Sequence, residues 1–154
     1  MAVRSRLVDA PFDADRALGQ FLAGLGGGEG AVVSFVGLAR LLSKKGSRIE
    51  RLTLDHHPRL TKRSLARIAS AAAERFDVSA IDVIHRCGEM KPGEVIVFVA
   101  AAGPHRRAAF EAADYLMDRL KTEAVFWKRE DAADGSRWID PTDADYADRN
   151  RWER

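Results

Sequence analysis

One cysteine, Cys87, occurs in 154 residues. A disulfide framework is therefore excluded, and so is a zinc site built on cysteine thiolates. No apolar run reaches the roughly 18 residues that a membrane-crossing helix needs. The opening residues, Met1-Ala-Val-Arg-Ser-Arg6, lack the apolar stretch of a secretion signal. An excess of either charge is also missing: 25 Lys and Arg stand against 23 Asp and Glu, a net charge of +2 with the four His neutral. Net charge thus implies neither strong nucleic-acid binding nor a membrane-surface role. The expectations are a reducing cytoplasm, no metal, and no nucleic-acid or membrane partner.

What is present is a globular balance, with 46% hydrophobic and 31% charged residues. The charges are unevenly placed. Between Arg40 and Arg67 nine basic residues face only Glu50 and Asp55. From Glu130 onward eight acidic residues face four arginines.

Val3 to Val8 reads as a first strand. After Asp13, a candidate N-cap, Ala14, Ala17, Leu18, Phe21, Leu22 and Leu25 recur at helical spacing until Gly26-Gly27-Gly28. Ala31 to Val36 has strand length and Gly37 closes it. Leu38 to Arg48 reads as a mobile loop. Ile49 to Asp55 alternates like a strand, and Thr61 is the expected cap of a second helix with Leu65, Ile68, Ala69, Ala72 and Phe76 on its inner face. Strands follow at Ile81–His85 and Glu94–Ala101. Gly103-Pro104 opens a third helix carrying Ala109, Ala113, Leu116, Met117 and Leu120 inward. Val125–Arg129 and Trp138-Ile139 are the last extended pieces. Helices separated by strand pairs predict an α+β fold with hairpins. Residues 1–140 form the expected single domain, and 141–154 a polar, loosely ordered tail.

Several motifs fail. Gly24 to Gly30 follows a helix and precedes a strand, the reverse of a dinucleotide-binding turn. His56 and His57 are adjacent, so on a strand they point to opposite faces and share no metal; one is expected packed and the other solvated. Cys87 could be a nucleophile near His85 and Arg86, but the simpler reading is a small buried residue.

The more informative pattern is cationic. His105-Arg106-Arg107 sits at a helix start, where cations oppose the helix dipole unless an anion relieves them. Lys121 ends the same helix, where a cation is suited. In Phe126-Trp127-Lys128-Arg129, strand alternation puts Phe126 and Lys128 on one face. His105 and Lys121 lie ~24 Å apart at ~1.5 Å per helical residue, so both reach one small ligand only if two protomers contribute.

At these residues the chain resembles the large, catalytic subunit of molybdopterin synthase. The blocks are Gly30-Ala-Val-Val-Ser-Phe-Val-Gly37 with Arg40, Ile84-His-Arg86 with Gly88-Glu89, and Pro92-Gly93-Glu94. His105-Arg106 with Ala109-Phe110-Glu111-Ala112, Lys121, Phe126-Trp-Lys-Arg-Glu130 and Trp138 follow in order. The resemblance implies a fold of the α/β-hammerhead type with an additional antiparallel sheet. It also implies a homodimer core, with a small ubiquitin-like carrier ending in Gly-Gly bound to each copy in a heterotetramer. The carrier's thiocarboxylate would supply sulfur to cyclic pyranopterin monophosphate, with no cofactor. Lys121 takes the place of the family's reactive lysine and Lys128 of its supporting lysine. Arg40, His105 and Arg106 take the places of its substrate-binding residues. The chain departs from the family at Leu41, where asparagine is usual, in the loop 41–46, and at His56-His57-Pro58. The alternatives are a non-catalytic anion- or RNA-binding module using Arg40 to Arg67, or a carrier-binding scaffold that has lost catalysis.

Overall fold

The computed structural model describes residues 2–154. Two four-stranded sheets share one chain path. The first has the order β1-β4-β6-β2, from β1 (Ala2–Val8), β4 (Ala80–Arg86), β6 (Val95–Gly103) and β2 (Ala31–Leu38). Only β1 and β4 run parallel in it. The second, wholly antiparallel, has the order β5-β3-β7-β8, from β5 (Gly88–Met90), β3 (Ile49–His56), β7 (Phe126–Ala132) and β8 (Gly135–Ile139). The helices are α1 (Ala14–Ala23), α2 (Leu60–Arg75), α3 (Arg106–Glu123) and α4 (Asp143–Asn150).

Pattern and burial agree where period is clear. Val83, Val97, Val99 and Ala101 on one face of the first sheet pack against Leu65, Ile68 and Ala72 of α2 and Leu116 and Leu120 of α3. On the opposite face α1 lays Ala17 over Ile84, Phe98 and Ala100. Leu52, Leu54 and Met90 form a smaller core beneath the second sheet. The two sheets are joined where β4 ends and β5 begins, across Cys87. There Arg86, 2% exposed, donates from Nη1 to Glu94 Oε2 (3.0 Å) and from Nη2 to the Glu89 carbonyl (3.0 Å). A buried guanidinium with a fixed fork of donors staples the β5 turn to the strand before it.

Local chemistry moves several boundaries. Helix α1 ends at Gly24, whose N–H bonds the carbonyls of Gln20 and Phe21, before the glycine triplet. Helix α2 begins one residue before Thr61, which is no cap. The Thr61 hydroxyl accepts from the His57 N–H (2.9 Å) and donates to the Val125 carbonyl (2.6 Å), tying α2 to the entry of β7. His57 is the capping group instead: its Nδ1 accepts from the N–H groups of Arg59 and Leu60. Both His56 and His57 are exposed, so neither is the packed residue of the expected pair. The segment read as a mobile loop is a tight turn. Leu42 bridges Arg48, Ser43 and Ser47 bond each other, and Gly46 supplies φ +85°.

The tail is a correction. Residues 141–154, expected to be loosely ordered, fold and dock. Thr142 and Asp145 form a reciprocal capping box that starts α4. A 3-10 turn, Arg151–Glu153, then sets Trp152 edge-on to Phe76 (5.7 Å between ring centres) and Tyr115 (5.5 Å). Its Nε1 donates to Asp118 (2.6 Å), Arg151 pairs with Asp118, and Arg119 pairs with Glu153. The acidic excess of the tail obscured a docking signal carried by one tryptophan and its flanking charges. Trp152→Ala is expected to cost about 2–3 kcal/mol of stability through lost aromatic packing, read as a lower urea midpoint. An unchanged midpoint would show that the tail contributes nothing to the fold.

Candidate functional site

The last turn of α3 meets the second sheet at its seam with the first. Strand β6 runs to Gly103, the chain turns through Pro104 and His105, and α3 returns along the same sheet. A helix of 18 residues at ~1.5 Å each is nearly as long as nine strand residues at ~3.3 Å each. Its final turn therefore lies over the start of β6, where Val97 is in register with His85 of β4. Lys121 sits on that turn and is exposed. Ala124 and Val125 separate the helix from β7, which Phe126 opens; its ring stacks on His85, with ring centres 4.3 Å apart and planes 24° apart.

Strand β7 carries Lys128 and Glu130 on the face of Phe126, opposite Leu54 and Leu52 of β3. Glu130 is 8% exposed. Burial pushes the Lys128 ammonium below its ordinary value, and the Lys121 charge adds to this; Glu130 opposes it, Arg40 lowers it further and Asp145 again opposes. Of the sequence-derived residues, Arg40 and Lys121 are thus both close enough to Lys128 for their charges to act on it. Arg40 is brought in by the residue before it. Buried Ala39 donates to the Glu94 carbonyl and accepts from the Gly93 N–H, which pins the exit of β2 against the β5–β6 turn.

His105 and Arg106 are not brought to this cluster within one chain. They are exposed at the opposite end of α3, His105 as the N-cap. The rest of the basic run does not join the cluster as a block. Arg59, Lys62, Arg63 and Arg67 are exposed on α2 or its N-cap and form no ion pair among the described residues. Lys44 is the exception beyond Arg40: its charge and that of Lys121 both act on Asp145. Burial works to raise the Asp145 carboxyl, but its bonds to Thr142 and the two lysines together hold it low.

Sequence reasoning missed Glu130, Asp145 and His85. Glu130 was accessible to it, two residues beyond Lys128 on the same strand face. Asp145 was not, because the tail carried no periodic pattern. His85 is buried with its Nδ1 2.8 Å from the Arg86 carbonyl oxygen. A carbonyl only accepts, so Nδ1 bears the proton. Burial pushes the imidazole down to about 4; the Arg86 bond opposes this and the Lys121 charge adds to it. Cys87 is buried, and burial pushes its thiol up, the behaviour of a packed residue and not of an activated nucleophile. Among the described residues no cluster of three or more His, Cys, Asp or Glu could hold a metal. Nor is any helix long and apolar enough to cross a membrane.

The arrangement can hold an anion among three cations, one of which, Lys128, is held below its ordinary value by burial and by its cationic neighbours. Comparison with known proteins agrees. The model of the MoaE protein family matches residues 7–123. A molybdopterin synthase catalytic subunit of Caulobacter vibrioides is 45% identical over 148 residues, 96% of each chain. That of Pseudomonas aeruginosa is 44% identical over 126 residues, 82% of this chain and 83% of its own. A solved MoaE protein from Burkholderia ambifaria superposes with a TM-score of 0.78 at 34% identity, over 100% of this chain and 99% of its own.

The His85 shift fixes a pH dependence. The folded value, about 4, lies below the unfolded 6.5. Stability from the neutral ring is complete above the unfolded value and declines as pH falls from there through the folded value. His85→Gln, which has no such proton to take up, should lose about 3 kcal/mol less than the parent between about pH 7 and about pH 4 in urea titrations. Parallel pH curves would refute the buried neutral ring.

Proposed function

The chain belongs to the MoaE family of molybdopterin synthase catalytic subunits, and from that membership we propose how its own residues carry out the reaction. It is a sulfurtransferase of molybdenum cofactor biosynthesis. Sulfur passes from the C-terminal thiocarboxylate of a small carrier subunit to cyclic pyranopterin monophosphate, giving the dithiolene of molybdopterin. What supports the assignment of residues is that Arg40 and Lys121 are near enough to Lys128 on β7 for their charges to act on it.

Both reactants are anionic, the pterin through its phosphate and the carrier through its tail. Arg40 offers a planar fork of donors suited to phosphate or carboxylate oxygens. Lys121, exposed on the last turn of α3, is the group that meets the carrier's terminal carbonyl, as nucleophile or as proton acceptor. Lys128, desolvated and beside Lys121, supports it by adding positive charge where the tetrahedral oxygen develops. Glu130 balances that charge from the same strand. Sulfur arrives on the partner, so no cysteine of this chain enters the chemistry. The reaction is placed in the cytoplasm, in keeping with a single unpaired cysteine.

His105 and Arg106 complete the pocket from a second copy. Strand β2 is an edge of its sheet, with Phe35 and Val36 exposed, and Phe110 of α3 is 60% exposed beside it. Val33, Phe35, Phe110 and Met117 line a groove of about 260 Å³ between β2 and α3. Apolar surface of this kind, next to a free strand edge, supports two-fold pairing of identical chains. Such pairing can present the start of α3 from one protomer to the end of α3 in the other.

Lys121→Ala is expected to lower molybdopterin formation by roughly 100-fold or more with thiocarboxylated carrier and pyranopterin supplied. Retention of full activity would remove Lys121 from the chemistry. The shared pocket has its own test. Lys121→Ala and His105→Ala chains, each inactive alone, should regain about a quarter of the parent activity when mixed equally and reassembled, because half of the dimers then hold one intact pocket of two. No recovery would place both residues in a pocket of a single chain.

A further inference from the structure

His85 is a buried titratable group that the scheme above leaves without a role. We propose that His85 is a positioning residue for Lys121: its neutral ring accepts a hydrogen bond at Nε2 from the Lys121 amine and so restricts where that amine points. This rests on the reading of Lys121 as the reacting group.

Three observations carry it. The ring cannot turn, because Phe126 stacks on it and the Arg86 carbonyl holds Nδ1. With Nδ1 bearing the proton, the only remaining polar feature of the neutral ring is the Nε2 lone pair, an acceptor. Nε2 has no partner among the described residues, and it is not one of the side-chain atoms sealed from solvent without a bond. It therefore keeps contact with solvent. Val97, the register partner of His85, shares a core cluster with Leu116 and Leu120 of α3, which puts the ring on the side of the sheet that this helix covers.

An acceptor near a cluster of cations is suited to serve one of them. A lone pair repels a carboxylate or phosphate and attracts an ammonium. Lys121 is the cation whose charge acts on this ring. Burial suits the ring to this role. Neutral across the working range, it neither adds positive charge beside Lys121 nor swings with solvent. A flexible four-carbon lysine side chain on a helix's last turn has many rotamers, and one fixed acceptor selects among them.

Two substitutions separate positioning from simple support. His85→Asn keeps a side-chain donor near the Nδ1 position for the Arg86 carbonyl but does not reach the Nε2 position. His85→Gln places an amide oxygen near Nε2. In the assembled synthase, His85→Asn should lower kcat by about 10–100-fold with little change in KM for the pterin, and His85→Gln should recover most of that loss. A second readout does not depend on turnover. Labelling of Lys121 by an acylating reagent such as acetic anhydride, followed by mass spectrometry, should be faster by about threefold or more in His85→Asn than in the parent and near the parent rate in His85→Gln. Equal labelling of Lys121 in all three proteins, or His85→Gln behaving like His85→Asn in both readouts, would overturn the proposal. If the parent itself makes no molybdopterin while labelling follows the expected order, the contact stands and the function assigned to Lys121 fails.

Discussion

The stack of His85 on Phe126 is the contact on which the site depends. It is a place where the two sheets touch side chain to side chain, since His85 belongs to β4 of the first and Phe126 opens β7 of the second. Lys121 lies before this contact in the chain and Lys128 after it, so the distance between the two lysines is set by a rigid pair of rings. Around it, Arg86 fixes the β5 turn and Thr61 fixes the entry to β7. Each of these is a buried polar group with a specific partner. Together they convert a flexible connection between α3 and Lys128 into a defined geometry.

Charge is used in two different ways in the chain. On the outer side of α3 the tail forms paired networks, with Arg151 to Asp118 and Arg119 to both Glu123 and Glu153. These are partly exposed and contribute modestly each. At the inner end of α3 the cations are short of partners, and one of them is desolvated. Pairing at one place and crowding at the other follow from the same composition, which is why a net charge near zero says little about either.

The sequence made the repetitive parts legible. Inner faces of α2 and α3 followed from Leu65, Ile68, Ala72, Leu116 and Leu120, and the placing of Lys128 with Phe126 followed from strand alternation. The ordered blocks of family resemblance made Arg40, Lys121 and Lys128 visible as a set. Features that depend on one side chain meeting a distant one were not legible. Trp152 finds Phe76 and Tyr115 from a tail that has no apolar period, and the turn at 42–48 is built from serine and backbone bonds in a basic segment that reads as solvated. His57 illustrates the same limit on a small scale: an imidazole that caps a helix resembles, in sequence, any other polar residue before a proline.

The parallel pairing of β1 with β4 carries a consequence for how the chain reaches this state. Ala2 is in register with Ala80, and Ala31 of β2 with Gly103 of β6. Both outer strands of the first sheet precede, by about half the length of the chain, the inner strands that receive them. The β4–β6 hairpin, whose strands are separated only by the β5 turn, is the part of that sheet with short loop closure. Synthesis from the N-terminus thus leaves two strands with their sheet partners still to come, and the order of assembly runs from the centre of the sheet to its rims. Its rate is set by distant encounters and not by local helix formation.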